Sequence, residues 1–93
     1  MLVKHNNQEN KGSFNAIEDG VQIGEMTYTM AGPGKMIIDH TEVNSQEKGK
    51  GIGHVFLYKA VEFAREKNIK ILPLCPFAKA SFDRDVNIRD VLF

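Results

Sequence analysis

The sequence lacks several features that would direct it to a particular class of protein. Its 93 residues carry 12 basic and 12 acidic side chains, so no net charge attracts the chain to nucleic acid or to a membrane surface. A single cysteine excludes an intramolecular disulfide framework and favours a reducing compartment. No apolar run is long enough for a signal peptide or a membrane-spanning helix. We therefore expect a cytoplasmic protein with no nucleic-acid or membrane partner.

Size and residue spacing narrow the expectation further. Ninety-three residues fit one domain with one modest core, so we assign residues 1–93 to a single domain. No spacing of His, Cys, Asp and Glu residues suggests a metal site. The oligomeric state stays open, and a monomer is compatible with the sequence.

The first half of the chain has the alternation and turn signals of an antiparallel meander. Strands are predicted at residues 1–4, 13–18, 21–30 and 35–43, with a polar loop at residues 6–12. The pair Asp19-Gly20 indicates a hairpin turn, and residues 31–34 indicate a second turn. The apolar face of the longest strand changes near Gly24, which indicates a bulge.

The second half predicts a helix followed by a buried strand. Residues 51–67 form a helix with one apolar stripe, and Asn68 suits its left-handed C-terminal cap. The stripe consists of Ile52, Val55, Phe56, Ala60, Phe63 and Ala64. A strand at residues 69–75 completes a βαβ unit, so it should run parallel to residues 35–43. Pro73 donates no hydrogen bond, which places it at an edge or where neighbouring strands separate.

The segment Lys48-Gly49-Lys50-Gly51-Ile52-Gly53 joins the third long strand to this helix. Glycines allow successive backbone N–H groups to point at one site, and the positive end of the helix dipole points there too. A phosphate or pyrophosphate is the ligand that this arrangement favours. The alternative interpretation is a tight strand-to-helix turn that binds no ligand and whose lysines are solvated.

A meander that feeds a βαβ unit with this loop at its crossover resembles the GNAT superfamily of acyl-CoA-dependent N-acyltransferases. The motif of that superfamily is Gln/Arg-x-x-Gly-x-Gly/Ala. One register matches Gln46, Gly49 and Gly51. The other matches Lys48, Gly51 and Gly53, with Lys in place of Arg, and we prefer it because it puts Ile52-Gly53 at the start of the helix.

The resemblance extends to the minimal, single-domain acetyltransferases of this superfamily. It covers residues 19–83 and implies an α/β (α+β) fold with a mixed sheet, an N-terminal antiparallel meander and a βαβ unit with splayed parallel strands. It also implies an N-acetyltransferase that uses acetyl-CoA and acts on a small-molecule or protein amine. The residues expected to bind CoA are Val43, Lys48, Gly49, Lys50, Gly51, Ile52, Gly53 and His54. A CoA-binding module without catalysis and a GNAT-fold interaction domain are the alternatives.

The same resemblance suggests Cys75 and His40 as catalytic residues, and the position of Glu42 on the same strand adds it as a third candidate. Pro76 suits the first turn of a helix, so Cys75 should lie at a helix N-terminus, where the dipole favours a thiolate. Its role would be that of an acetyl-carrying nucleophile or of a proton donor to departing CoA, the alternative being a buried core residue. His40 and Glu42 share one face of their strand, and either could accept the proton of an amine.

The remaining features of the chain add little about chemistry. The Tyr that commonly acts as general acid in the superfamily has no counterpart, because Phe77 and Phe82 follow Cys75. The C-terminal apolar residues predict a final strand or a docking segment. These residues are Val86, Ile88, Val91, Leu92 and Phe93.

Overall fold

A five-stranded sheet with both α-helices packed on one of its faces builds the protein. The computed structural model describes all residues, 1–93. The strands are β1 (Leu2–Asn7), β2 (Lys11–Glu18), β3 (Val21–Met30), β4 (Lys35–Val43) and β5 (Lys70–Pro73). The helices are α1 (Ile52–Lys67) and α2 (Pro76–Arg84), with short 3-10 helices at Ser45–Glu47 and Val86–Val91.

The strands lie in the sheet in chain order, from β1 to β5. The first four are antiparallel, and β4 and β5 are parallel, as the sequence predicted. The loop predicted at residues 6–12 is wrong in its extent, because β1 runs to Asn7 and β2 begins at Lys11. Asn6 pairs with Ser13, and its amide donates to Asn15 Oδ1 at 2.9 Å, so cross-strand bonding outweighs the polar composition.

Two bulges shape the central strands. Ala16 pairs with Gly24 and Ile17 with Gln22, so the first bulge lies beside Gly24, as predicted. The second was not predicted: Tyr28 pairs with Ile38 but Thr27 pairs with His40, which leaves Asp39 as an extra residue in β4. An extra residue reverses the alternation of side chains beyond it.

Parallel pairing of β4 and β5 stops after four residue pairs, the last being Ile38 with Pro73. The amides of Leu74 and Cys75 then both donate to the Ile38 carbonyl, each at 3.1 Å. Beyond this point β4 continues to Val43 without a neighbour on that side. The predicted separation at Pro73 is confirmed, whereas the predicted strand 69–75 is too long because paired structure ends at Pro73.

The helix α1 begins and ends close to its predicted limits, and Asn68 has the left-handed φ of 58° expected of its cap. Its buried face differs from the predicted stripe, because Leu57 and Val61 are buried while Val55 and Phe63 are only half-buried. The C-terminal 3-10 helix packs against α1 and accounts for this shift. One continuous core joins both helices to the sheet.

The C-terminal residues cover the outer edge of β5. Val86–Val91 is a 3-10 helix that buries Ile88 and Val91, rather than a strand. Leu92 then forms a single bridge with Ile71, and the Phe93 amide donates to the Ile71 carbonyl at 2.8 Å. The only sheet edge left without a covering segment is therefore that of β1.

Candidate functional site

A cleft of about 450 Å³ opens where β4 and β5 separate, beside the β4–α1 loop and the first turns of both helices. It is lined by Thr41, Val43, Glu47, Lys48, Gly49, Gly51, Ile52, Gly53, His54 and Phe77. Every residue that the sequence analysis assigned to CoA binding is among them except Lys50. The size is within the range of small-molecule sites.

A run of backbone N–H groups beside this cleft has no hydrogen-bond acceptor within the protein. Gly49 and Gly51 have φ values of 85° and 79°, a left-handed conformation that favours glycine. Gly51 is also the N-cap of α1, and no side chain caps this helix. None of the six backbone N–H groups from Gly49 to His54 has an acceptor within the protein. Together with the helix dipole, these donors form a site for an anion.

The two lysines of the loop have different surroundings. Lys50 Nζ lies 3.1 Å from Glu47 Oε1, so its charge is neutralised by a carboxylate that itself lines the cleft. Lys48 lines the cleft and has no carboxylate within ion-pair distance. Lys48 is therefore the cation available to a bound anion, and Lys50 offsets the charge of Glu47.

Cys75 is placed at the N-terminus of α2, as the sequence predicted. It is the N-cap residue, and its sulfur accepts a hydrogen bond from the Ala78 amide at 3.3 Å. On β4, Thr41 Oγ1 lies 3.2 Å from this sulfur. The side chain of Thr41 lines the cleft, while Cys75 is only 3% exposed. Thr41 therefore separates the sulfur from the cleft.

His40 and Glu42 lie on the other face of the sheet. They pair across with Thr27 and Glu25, whereas Thr41 pairs with the buried Met26 on the helix-bearing face. Both are exposed, and His40 Nε2 is 3.2 Å from Glu42 Oε2. The loop, Thr41 and Cys75 thus lie together on the face of the sheet that bears the helices. His40 and Glu42 lie on the opposite face.

Three cleft residues had no assigned role in the sequence analysis: Thr41, Glu47 and Phe77. The inward direction of Thr41 depends on the bulge at Asp39, for which the sequence carries no clear signal. The sequence did contain an indication of the Phe77 contact: Gly53 lies inside a helix, and a glycine there often marks a close packing contact. A Cβ at Gly53 would lie 2.7 Å from Phe77 Cζ.

Comparison with known families decides what kind of protein has this fold and cleft. A family model described as GCN5-related N-acetyl-transferase matches residues 13–91. The chain belongs to this family. A GCN5-like candidate N-acetyltransferase from Staphylococcus aureus has 33% identity, with a TM-score of 0.72 over 97% of this chain and 87% of that one. No curated protein matches the chain.

More distant structures share the fold. The ribosomal-protein-alanine N-acetyltransferase of Brucella melitensis has 18% identity and a TM-score of 0.70, over 83% of this chain and 62% of that one. An acetyltransferase from Clostridium acetobutylicum, solved with acetyl-CoA, has 20% identity and a TM-score of 0.65, over 80% and 55%. The chain thus spans little more than half the length of these two proteins.

The family assignment confirms the fold class and the N-acetyltransferase class that the sequence resemblance implied. The length and apolar content that a bilayer-crossing helix needs are found in neither α1 nor α2.

Proposed function

We propose that the protein transfers the acetyl group of acetyl-CoA to an amine, with the β4–α1 loop holding the pyrophosphate. The observation that carries this proposal is the run of unpaired N–H groups from Gly49 to His54 beside Lys48. A pyrophosphate carries the charge and the acceptor oxygens that such a run of donors requires. The acetyl-CoA bound to the Clostridium acetobutylicum relative supports the same cosubstrate.

The thioester would lie in the gap between β4 and β5. Backbone groups of β4 beyond Ile38 have no β5 partner, so those near Glu42 and Val43 are available to orient the acetyl carbonyl. In this proposal the acceptor reaches the thioester through this gap, from the face that bears His40 and Glu42.

Acetyl transfer requires one new bond and one broken bond. The amine nitrogen attacks the carbonyl carbon, the C–S bond breaks, and CoA leaves as a thiolate that takes up a proton. His40 or Glu42 would accept the proton of the amine, directly or through water. Cys75 would either donate the proton to the thiolate or carry the acetyl group as a thioester before the amine attacks.

The acceptor is proposed only as an amine of a small molecule or a protein. In this proposal residues 1–93 form one domain that carries out the whole reaction. The protein would act in the cytoplasm, because its single cysteine is a free thiol. Nucleic acid and membrane have no part in this proposal.

The test combines calorimetric titration with acetyl-CoA and a panel of small amines and peptides, followed by free thiol release and by mass spectrometry. We expect saturable binding, thiol release that depends on the amine, and an added acetyl group on at least one acceptor. Binding without release for any amine would reduce the protein to a CoA-binding module. No binding at all would contradict the proposal.

A further inference from the structure

The cleft presents three kinds of chemical group. The backbone N–H groups of Gly49–His54 have no acceptor within the protein. Val43 from β4 and Phe77 from α2 supply apolar surface. The hydroxyl of Thr41 lies beside Cys75. Because Thr41 precedes Val43 along β4, Thr41 lies further than Val43 from the β4–α1 loop.

CoA carries chemical groups that suit each of these parts of the cleft. Its pyrophosphate is joined through one CH2 group to the branched, apolar dimethyl carbon of pantoate, which is followed by a hydroxyl-bearing carbon, two amides and finally the thiol. A pyrophosphate on the loop therefore brings the dimethyl group to the next part of the cleft, where an apolar surface suits it.

The ring of Phe77 is held in a defined position. A Cβ on Gly53 would lie 2.7, 3.0 and 3.1 Å from three of its ring carbons, so glycine alone leaves room for the ring on α1. The His54 ring meets it edge-on, with centroids 5.3 Å apart. The buried Ser81 hydroxyl donates to the Phe77 carbonyl at 3.1 Å and fixes the backbone there.

We propose that Phe77, seated on Gly53 and with Val43 on the β4 side, binds the pantoate segment and makes the site specific for CoA over nucleotides with the same phosphates. This inference rests on the proposed function. Gly53 accordingly serves the packing of Phe77 in addition to lying in the phosphate loop. Phe77 contributes nothing to a ligand that ends at the pyrophosphate.

Two ligands distinguish a contact of Phe77 with the pantoate segment from a general effect of Phe77 on the binding site. Calorimetry compares CoA with adenosine 3′-phosphate 5′-diphosphate, which has the nucleoside, the 3′-phosphate and the pyrophosphate but no pantetheine. Phe77→Ala should weaken CoA binding by about tenfold or more, the scale of a lost apolar contact in a pocket. Binding of the nucleotide should be nearly unchanged. Phe77→Leu should give an intermediate loss and serves if the Ala variant does not fold.

Phe63→Ala is the matched control. Phe63 is also half-buried against the core, but it lies at the other end of α1, near His5. Its truncation should lower the thermal midpoint without changing the ratio of the two affinities. Equal losses for both ligands in Phe77→Ala, or no loss for either, would overturn the inference. An unchanged protein that binds no CoA would contradict the proposed function itself.

A double-mutant cycle tests the seat of the ring. Gly53→Ala should weaken CoA binding in the wild-type background, because the new methyl group displaces Phe77. In the Phe77→Ala background the same change should cost little affinity and should raise the thermal midpoint, since Ala favours a helix over Gly. Additive losses of affinity would show that Gly53 and Phe77 act separately. They would contradict the inference that the packing of Phe77 on Gly53 contributes to CoA binding.

Discussion

We expect Thr41 to control access to the Cys75 sulfur. The sulfur is almost fully buried, and the threonine hydroxyl lies 3.2 Å away, between it and the cleft. We expect iodoacetamide to label the folded wild-type protein slowly. Thr41→Ala should speed labelling by about tenfold or more, because opening a route matters more than thiol chemistry at a buried site. Thr41→Val, which keeps the size of the side chain, should leave labelling slow.

The response of this labelling to CoA distinguishes the two roles left for Cys75. If the sulfur serves the thioester, CoA should protect it in the Thr41→Ala variant. Cys75→Ala should then keep CoA binding but lose about 100-fold of the transfer rate. If Cys75 is only structural, CoA should not change the rate of labelling. Cys75→Ala should then have a lowered thermal midpoint but a normal transfer rate per folded molecule. That result would leave His40 and Glu42 as the remaining catalytic candidates.

Lys48 and Lys50 should contribute differently to CoA affinity. Lys48→Ala removes the unpaired cation of the cleft and should weaken binding by roughly two- to fivefold, less at high ionic strength. Lys50→Ala should also weaken binding, because it leaves the Glu47 carboxylate uncompensated beside the phosphates. Calorimetry at two salt concentrations measures both effects. Lys59→Ala, an exposed lysine further along α1, is the control and should change neither.

In the proposed function, the β4–α1 loop is the element on which cosubstrate binding depends. Gly51 caps α1 with a φ of 79°, a conformation that costs an ordinary residue about 1–2 kcal/mol. Gly51→Val should abolish CoA binding, because a branched side chain both strains the cap and fills the cradle. In the wild-type protein, an NMR titration with CoA should shift the amides of Gly49–His54 most.

Gly20→Ala provides the matched comparison for this element. Gly20 has a φ of 78° in the β2–β3 turn, far from the cleft, and open space around it. Its replacement should lower stability by a similar backbone strain while CoA affinity stays normal. Equal loss of affinity in both glycine variants would mean that general destabilisation, rather than the cradle, explains the effect.

At the scale of the whole molecule, we expect the pair of His5 and Tyr28 to link stability to pH. His5 Nε2 lies 2.6 Å from the hydroxyl of the buried Tyr28, and its ring stacks on Phe14 at 4.2 Å. Burial lowers the pKa of His5 below its ordinary 6.5 and raises the pKa of Tyr28. The native protein therefore binds a proton at His5 less readily than the unfolded chain does.

The sign of the pH effect follows from the lowered pKa. The contribution of neutral His5 is fully present above pH 6.5 and is lost as the pH falls from 6.5 to the lowered pKa of the folded state. Thermal unfolding across this range should show a falling midpoint in the wild type and a smaller fall in His5→Gln. His40→Gln, at an exposed histidine of the outer face, should keep the wild-type dependence. An identical pH dependence in His5→Gln would contradict the assignment.

The amino-acid sequence by itself determined the elements that depend on local patterns. The Asp19-Gly20 turn, the bulge at Gly24, the C-terminal cap of α1 at Asn68 and the start of α2 at Pro76 each follow from the conformational limits of one or two residues. The glycine loop led to the prediction of a phosphate site, and together with the meander and the βαβ unit around it the loop indicated the family.

Only the tertiary structure decided how these elements form one site. The bulge at Asp39 turns Thr41 toward the cleft and His40 and Glu42 away from it, and it depends on the register between β3 and β4. The seat of Phe77 on Gly53 depends on the contact of two helices that are separate in the chain. Alternation and capping are properties of neighbouring residues, whereas register and packing are settled by contacts between distant segments, so no local pattern could specify them.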